Sequence, residues 1–319
     1  MNRKCAHVST IITVYAVIVL VTTTLLLPGC VEQHSGERAR DIPTALGLAS
    51  TGIVLSPSLE REGLMKRMSR ILAGAGGDYG VYICELDTGD SFGFNQHRPF
   101  EAASTVKIPI MMMLYGELEA GNIGRDEVMT YLWSDYEGGT GSIQAQGPGT
   151  TWTIGELATR MMKESDNVAK NMLLRRLGYG AVERYAHDQG AGSFDLYNNR
   201  ITPADMGLLL KRLYSGRVAG PQLTGEMLSL MTGTTDEDRL PRYLSGNISV
   251  AHKIGTMDDT IIDVGIVRGA GAPFIICVYS DMVGSEAEAE DIIGRLAWQA
   301  AEYEFWRACS EGLFQGPCL

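Results

Sequence analysis

Metal-binding patterns are missing from this 319-residue chain. Its five histidines, His7, His34, His97, His187 and His252, show no ligand spacing, and its six cysteines contain no Cys-x-x-Cys pair. Neither a metal site nor a dithiol redox centre is expected, and no cofactor. There is no run of Lys and Arg, and the net charge is −11. An acidic chain without a basic stripe is not built to hold nucleic acid. Internal repeats and low-complexity segments are absent too, so the chain is not a repeat array. With 45% hydrophobic and 20% charged residues it has the composition of a globular protein, long enough for a sizeable core.

Formal charge is also absent from Ala6 to Val31, counting His7 as neutral. Arg3 and Lys4 precede this stretch, and it closes on Leu27-Pro28-Gly29-Cys30. A positive start, an apolar run and a small residue before cysteine resemble a bacterial lipoprotein signal. The resemblance implies that residues 1–30 are signal and anchor, with Cys30 lipidated as the new N-terminus. The alternative is an uncleaved anchor, since Val8 to Leu27 is just long enough to span a bilayer at about 20 residues. Both readings place the body outside the cytoplasm, tethered to a membrane. Residues 31–56 mix Ser, Gly, Pro and charge and read as the tether. Of the other cysteines, Cys5 lies in the charged start, and Cys84 and Cys277 sit in apolar runs as buried thiols. A Cys309–Cys318 disulfide would close a short tail loop, which an oxidising compartment permits.

Strand signals lie at both ends of the body and helix signals between them. Leu59–Leu72 has helical apolar spacing, Tyr79–Leu86 reads as a strand, Asp87-Thr-Gly-Asp as a turn, and Ser91–Asn95 as the returning strand. Val106–Leu118 is a strongly apolar helix, followed by a glycine-rich loop from Gly138 to Gly149. Thr153-Ile-Gly-Glu156 is a capping box opening a helix that stops near Ser165. Another runs from about Val168 to Leu177, and Thr202-Pro203 opens a further one ending near Gly216. Val250–Thr256, Ile261–Val267 and Phe274–Ser280 read as three strands, and Glu286–Trp306 as a closing helix. The expectation is an α+β fold over residues 57–319. Its sheet layer comes from about 57–103 and 217–319, and its helical part from about 104–216.

Three short motifs carry chemistry. Ser104-Thr105-Val106-Lys107 puts a nucleophile and a base three residues apart, a spacing that shares a helix face. The apolar Ile108-Pro109-Ile110-Met111 that follows would desolvate the lysine and lower its proton affinity. The plain alternative is a capping serine with a solvated lysine. Ser165-Asp166-Asn167 lies between two helices. There Ser165 could pass a proton to a leaving nitrogen and Asn167 could hold a substrate amide, or all three could simply cap. Lys253-Ile254-Gly255-Thr256 follows a strand. It would supply a second cation, a glycine past which substrate backbone can run, and the Thr256 amide as oxyanion donor beside that of Ser104. The alternative is an ordinary edge-strand lysine. His252 alternates to the other face and is given no chemistry.

In this order the motifs resemble those of serine β-lactamases and penicillin-binding proteins, in the branch similar to class A β-lactamases. Phe100-Glu-Ala-Ala, Val168-Ala-Lys-Asn-Met-Leu-Leu and Gly265-Ile-Val resemble the family's own flanks, over about residues 60–306. The resemblance implies an antiparallel sheet of about five strands flanked by helices, with an all-helical insertion. It implies Ser104 as nucleophile, Lys107 as base, Ser165 and Lys253 as further catalytic groups, Asn167, Gly255 and Thr256 as substrate-binding residues, and a β-lactam or cell-wall peptide as substrate.

Two departures stand out. The family's deacylating glutamate belongs in the loop before the Thr-Pro helix start, yet Gly190–Pro203 is short and has Asp195 as its sole acid. Ile254 stands where the family has Thr or Ser, and Arg239, Arg242 and Arg268 are candidates for an assisting arginine. Three functions follow. One is a β-lactam hydrolase with slow deacylation, and the second is a penicillin-binding, D,D-peptidase-like enzyme. The third is a catalytically silent surface lipoprotein that only binds or supports a partner, which leaves the joint presence of Ser104, Lys107, Ser165, Asn167 and Lys253 unexplained.

Overall fold

The computed structural model describes residues 57–244 and 246–313. The signal, Cys30, the tether and Cys318 lie outside the described residues.

The chain enters through α1 (Pro57–Ala73) and forms the hairpin β1 (Asp78–Glu85) and β2 (Ser91–Phe94). It returns at the far end as β7 (Ser249–Met257), β8 (Thr260–Arg268), β9 (Phe274–Asp281) and α8 (Glu286–Ser310). These five strands make one antiparallel sheet in the order β2-β1-β9-β8-β7. The expected α+β architecture with a five-stranded sheet is therefore present.

Both faces of the sheet are covered, which explains why its strands read as nearly continuous apolar runs. Val81 and Ile83 of β1 and Ile276 and Val278 of β9 join the core beneath α1 and α8. Their alternating neighbours Tyr82, Cys84, Ile275, Cys277 and Tyr279 face the opposite core. Period-two alternation thus feeds two apolar layers rather than one. Cys84 and Cys277 are buried free thiols in this sheet, and Cys309 is disulfide-bonded.

The helical part contains α2 (Lys107–Glu119), α3 (Ile154–Lys163), α4 (Asn167–Leu177), α5 (Tyr179–Asp188), α6 (Pro203–Tyr214) and α7 (Pro221–Leu230). The expected capping box opens α3: Glu156 N donates to Thr153 Oγ1 at 3.2 Å and Thr153 N to Glu156 Oε2 at 2.8 Å. Thr202 caps α6 in the same way, accepting from Asp205 N at 3.2 Å. Helix α6 lies against the sheet, and Gly207 permits this, because a Cβ there would sit 2.2 Å from the Tyr82 ring.

Two helices and two short ribbons escaped the sequence reading. Helix α5 starts directly after Gly178, the residue that ends α4, so one residue separates two helices. Helix α7 begins with Pro221 at its first turn and packs its Met227 and Leu228 into the helical core, so helix continues past the expected boundary at 216. Two short ribbons complete the fold: β3 (Phe100–Glu101) with β6 (Arg200–Ile201), and β4 (Val128–Thr130) with β5 (Thr151–Thr153). At two or three residues each they are too short to show a period. Among the described residues no helix is long and apolar enough to cross a membrane.

Candidate active site

Ser104 does not lie on an α-helix. A 3₁₀ turn, Ala103–Val106, carries it and leads directly into α2, whose first residue is Lys107. In a 3₁₀ turn residues i and i+3 eclipse, so the two side chains meet more directly than on an α-helix. Lys107 Nζ lies 2.9 Å from Ser104 Oγ. The turn is strained at its entrance, where Ala103 has φ +44°. Residues in such conformations cost energy and gather where geometry matters to function.

Ser165 also has positive φ, +54°, in the tight link between α3 and α4. That conformation aims its hydroxyl at the nucleophile: Ser165 Oγ donates to Ser104 Oγ at 2.9 Å, and Lys107 Nζ lies 3.0 Å from Ser165 Oγ. The three groups close a triangle. Lys107 Nζ donates further to Ser165 O at 2.7 Å and to Asn167 Oδ1 at 2.8 Å. A neutral amine fits these partners, with two N–H donors for the two carbonyl oxygens and a lone pair for the Ser104 hydroxyl. Its surroundings favour that form. Burial, then the nearby Lys253 and Lys170 cations, hold Lys107 well below the usual lysine range.

Asp166, between these residues, proves to be the capping residue. Its carboxylate accepts from Ala169 N at 2.8 Å at the start of α4 and from Ile143 N at 2.8 Å. Gly141, at φ +102°, lies so close that a Cβ would overlap the Asp166 carboxylate at 2.2 Å. The glycine-rich loop is thereby clamped to the second motif. Thr140 Oγ1 donates to Ser165 O at 2.7 Å, and Asn167 Nδ2 to Gly138 O at 3.0 Å.

The third motif lies within β7, at the sheet edge, rather than after a strand. Alternation splits it. Ile254 and Thr256 line the same cleft as Ser104, Lys107, Ser165 and Asn167, a cavity of about 420 Å³. Lys253 and Gly255 are buried and are not among its lining residues. Gly255 therefore has a different reason from the expected one. A Cβ there would lie 3.0 Å from Ala103 Cβ and 3.2 Å from Ala102 O, so glycine lets β7 approach the turn that carries Ser104. Lys253 Nζ donates to Ile254 O at 3.0 Å, and burial pulls its pKa down to about 8.

Among the three arginine candidates, Arg239 is the one that bonds a residue lining the cleft, from behind it. It is buried and donates to Gly255 O and Ile262 O, each at 2.9 Å, and through Nη2 to Thr256 Oγ1 at 2.7 Å. The bond occupies an acceptor site on Thr256 and leaves its hydroxyl hydrogen for another partner. Arg242 instead stacks over the Tyr243 ring, and Arg268 donates to Ser249 Oγ. Behind β7, His252 Nδ1 faces Asp263 at 2.9 Å in a fully buried pair. Burial lowers the imidazole pKa, but Asp263 and Glu237 outweigh it and raise it to about 9.

Asp195, the sole acid of the 190–203 loop, is turned to local use. It accepts from Asn198 N at 2.8 Å and Asn198 Nδ2 at 2.7 Å and lies outside the cleft lining, while its neighbour Leu196 faces in. Two carboxylates that the sequence did not single out do line the cleft, Glu137 and Asp236, together with Lys170. A larger hollow of about 700 Å³, involving Arg67, Tyr243 and Trp298, holds none of these residues. Among the described residues no group of three His, Cys, Asp or Glu side chains could hold a metal ion.

The model of the β-lactamase enzyme family matches residues 63–303. The chain is 24% identical to a β-lactamase of Rhodobacter capsulatus over 273 residues, covering 78% of this chain and 93% of that one. It is 24% identical to the β-lactamase VEB-1 of Pseudomonas aeruginosa over 230 residues, covering 64% and 75%. Among solved structures, a β-lactamase from Sphaerobacter thermophilus DSM 20745 superposes with a TM-score of 0.71 at 25% identity, covering 80% of this chain and 99% of that one. PBP-A superposes with a TM-score of 0.72 at 23% identity, covering 75% and 95%. With three motifs folded around one cleft and the family match running from α1 into α8, the chain belongs to the β-lactamase enzyme family.

Proposed function

We propose that the protein is a serine hydrolase that opens β-lactam amides through an acyl-Ser104 intermediate. The observation that carries this reading is the triangle of Ser104, Lys107 and Ser165, with every edge between 2.9 and 3.0 Å. Neutral Lys107 takes the Ser104 proton as Oγ attacks the lactam carbonyl carbon. The amides of Ser104 and Thr256 receive the developing oxyanion. As the carbon–nitrogen bond breaks, Ser165 gives its proton to the departing nitrogen and is resupplied by Lys107, 3.0 Å away. Asn167 keeps one amide hydrogen bond to Gly138 O and orients a substrate side-chain amide. Thr256, with Arg239 behind it, takes over the hydroxyl role that Ile254 cannot fill.

The loop 190–203 brings no acid into the cleft, so the acyl ester is hydrolysed slowly. This feature favours a second reading, a penicillin-binding, D,D-peptidase-like enzyme acting on cell-wall peptides. We also assign the body to the outside of the cytoplasm, tethered through lipidated Cys30. Palmitate labelling that persists in a Cys30→Ala chain would overturn that assignment.

Intact-mass spectrometry of residues 31–319 mixed with a penicillin tests the central reading. A mass increase is expected on wild type and none on Ser104→Ala; labelling that survives the substitution sinks the assignment. An adduct that decays, however slowly, to opened product marks a β-lactamase, and an adduct that never releases product marks the penicillin-binding alternative.

A further inference from the structure

An acyl-serine ester needs a base that can draw a proton from water, and the expected source of that base is vacant in this chain. Two carboxylates line the cleft, Glu137 and Asp236. They sit in different surroundings. Asp236 is held by Thr235 Oγ1 at 2.7 Å and is among the charges that act on the buried Lys253. Glu137 is among the charges that act on Lys107, the partner of the nucleophile. Glu137 also opens the loop that Gly138, Thr140 and Gly141 stitch to the second motif, so its backbone is fixed relative to Ser165.

Its side chain is held as well. Lys170 Nζ bonds both carboxylate oxygens at 2.9 and 2.8 Å, and Asn171 Nδ2 donates to Oε2 at 2.9 Å. Oε2 carries two donors and Oε1 one, which leaves Oε1 able to accept from water. The side chain is 42% exposed, so solvent reaches it, whereas Lys170 is 15% exposed. Burial raises the Glu137 pKa, but Lys170 outweighs it and the net shift is downward. The carboxylate is therefore charged over the whole neutral range.

We infer that Glu137, oriented by Lys170 and Asn171, is the carboxylate that activates the water hydrolysing acyl-Ser104. The inference rests on the acyl-serine reading above. One O–H bond of water breaks, its proton goes to Glu137, and the oxygen bonds to the ester carbonyl carbon. The tetrahedral species then loses its bond to Ser104 Oγ, which takes the second water proton, passed from the attacking oxygen through Lys107, so the product leaves as a carboxylate. Glu137 releases its own proton to bulk water, so the cycle is neutral. A carboxylate so firmly paired with a lysine is a weak base, which agrees with slow turnover.

The test is the lifetime of the penicillin adduct in wild type, Glu137→Gln and Asp236→Asn, followed by intact mass at several pH values. For Glu137→Gln we expect acylation within a few-fold of wild type and an adduct that lives about 10²-fold longer or more. Wild-type deacylation should fall at acid pH as the carboxylate protonates, and that limb should be absent from the Gln variant. The variant's own acylation reports that it is folded. An adduct lifetime within about twofold of wild type, or lengthening by Asp236→Asn instead, overturns the inference. A wild-type adduct that never decays also overturns it and leaves the acyl-serine reading standing. No wild-type adduct at all removes the reading on which it rests.

Discussion

Replacing Lys107 by methionine separates a catalytic amine from a merely buried one. The two side chains are similar in length, and the Lys107 side chain is buried at the floor of the cleft. Loss of the amine leaves Ser165 O with its bond from Thr140 Oγ1 at 2.7 Å, and Ser104 Oγ with its bond from Ser165 at 2.9 Å. Asn167 Oδ1 is the acceptor stranded by the change. Asn167 is half-buried and lines the cleft, so water can reach this acceptor and its loss costs at most about 1–3 kcal/mol. Removing a buried amine with a strongly depressed pKa returns part of this, so the net stability change should be under about 2 kcal/mol. Acylation should fare much worse. Losing the proton acceptor for Ser104 should slow it by about 10³-fold, near 4 kcal/mol of barrier. Stopped-flow or rapid-quench mass measurement of adduct formation, beside urea unfolding, gives both quantities. An acylation rate within tenfold of wild type refutes the role of Lys107. The wild-type pH profile adds a second check. The reactive form is the neutral amine, so acylation should rise with pH through the depressed pKa and level off well below 10.5, the ordinary lysine value. A limb centred near 10.5 would also refute the reasoning.

Gly255→Ala should slow acylation about tenfold by pressing a methyl against the Ala102–Ala103 turn that carries Ser104, and an unchanged rate would show that the turn yields freely. The His252–Asp263 pair makes stability depend on pH. The folded pKa of about 9 lies above the ordinary 6.5, so its contribution, about 3 kcal/mol, is complete below pH 6.5 and is lost as pH rises through 9. Urea midpoints in wild type and His252→Gln from pH 6 to 9.5 should converge, and parallel curves would contradict this. Arg307 is fully buried and bonds Asp87, Glu304 and Glu311, of which Glu304 is fully buried, so Arg307→Ala should cost about 3 kcal/mol, mainly by stranding Glu304. A loss under about 1 kcal/mol in urea unfolding would show that water replaces it.

The elements legible beforehand carry strong local signals. The Thr153–Glu156 box, the Thr202-Pro203 start and the three long apolar strands lie where local chemistry puts them. Helix α5 was missed because Gly178 marks a stop without telling that another helix follows at once. The short β3–β6 and β4–β5 ribbons were missed because pairing across a distant loop, not propensity, makes them strands.

The sequence by itself determined which groups could do chemistry and in what order they come: Ser104 and Lys107 three apart, Ser165 and Asn167 at a helix junction, Lys253 to Thr256 in the return strand. It also determined that the usual acid is missing from 190–203. The tertiary structure decided what meets what. Sheet pairing and packing set Gly255 against Ala103, chose Arg239 from three arginines, and buried Lys253 beside its own backbone. It also carried Glu137 and Lys170 into the cleft from separate segments, where no local spacing announces them. Local motifs are encoded by neighbours in the chain, whereas electrostatics and contact are set by neighbours in space. The pKa of Lys107 and the identity of the water-activating acid belong to the second kind.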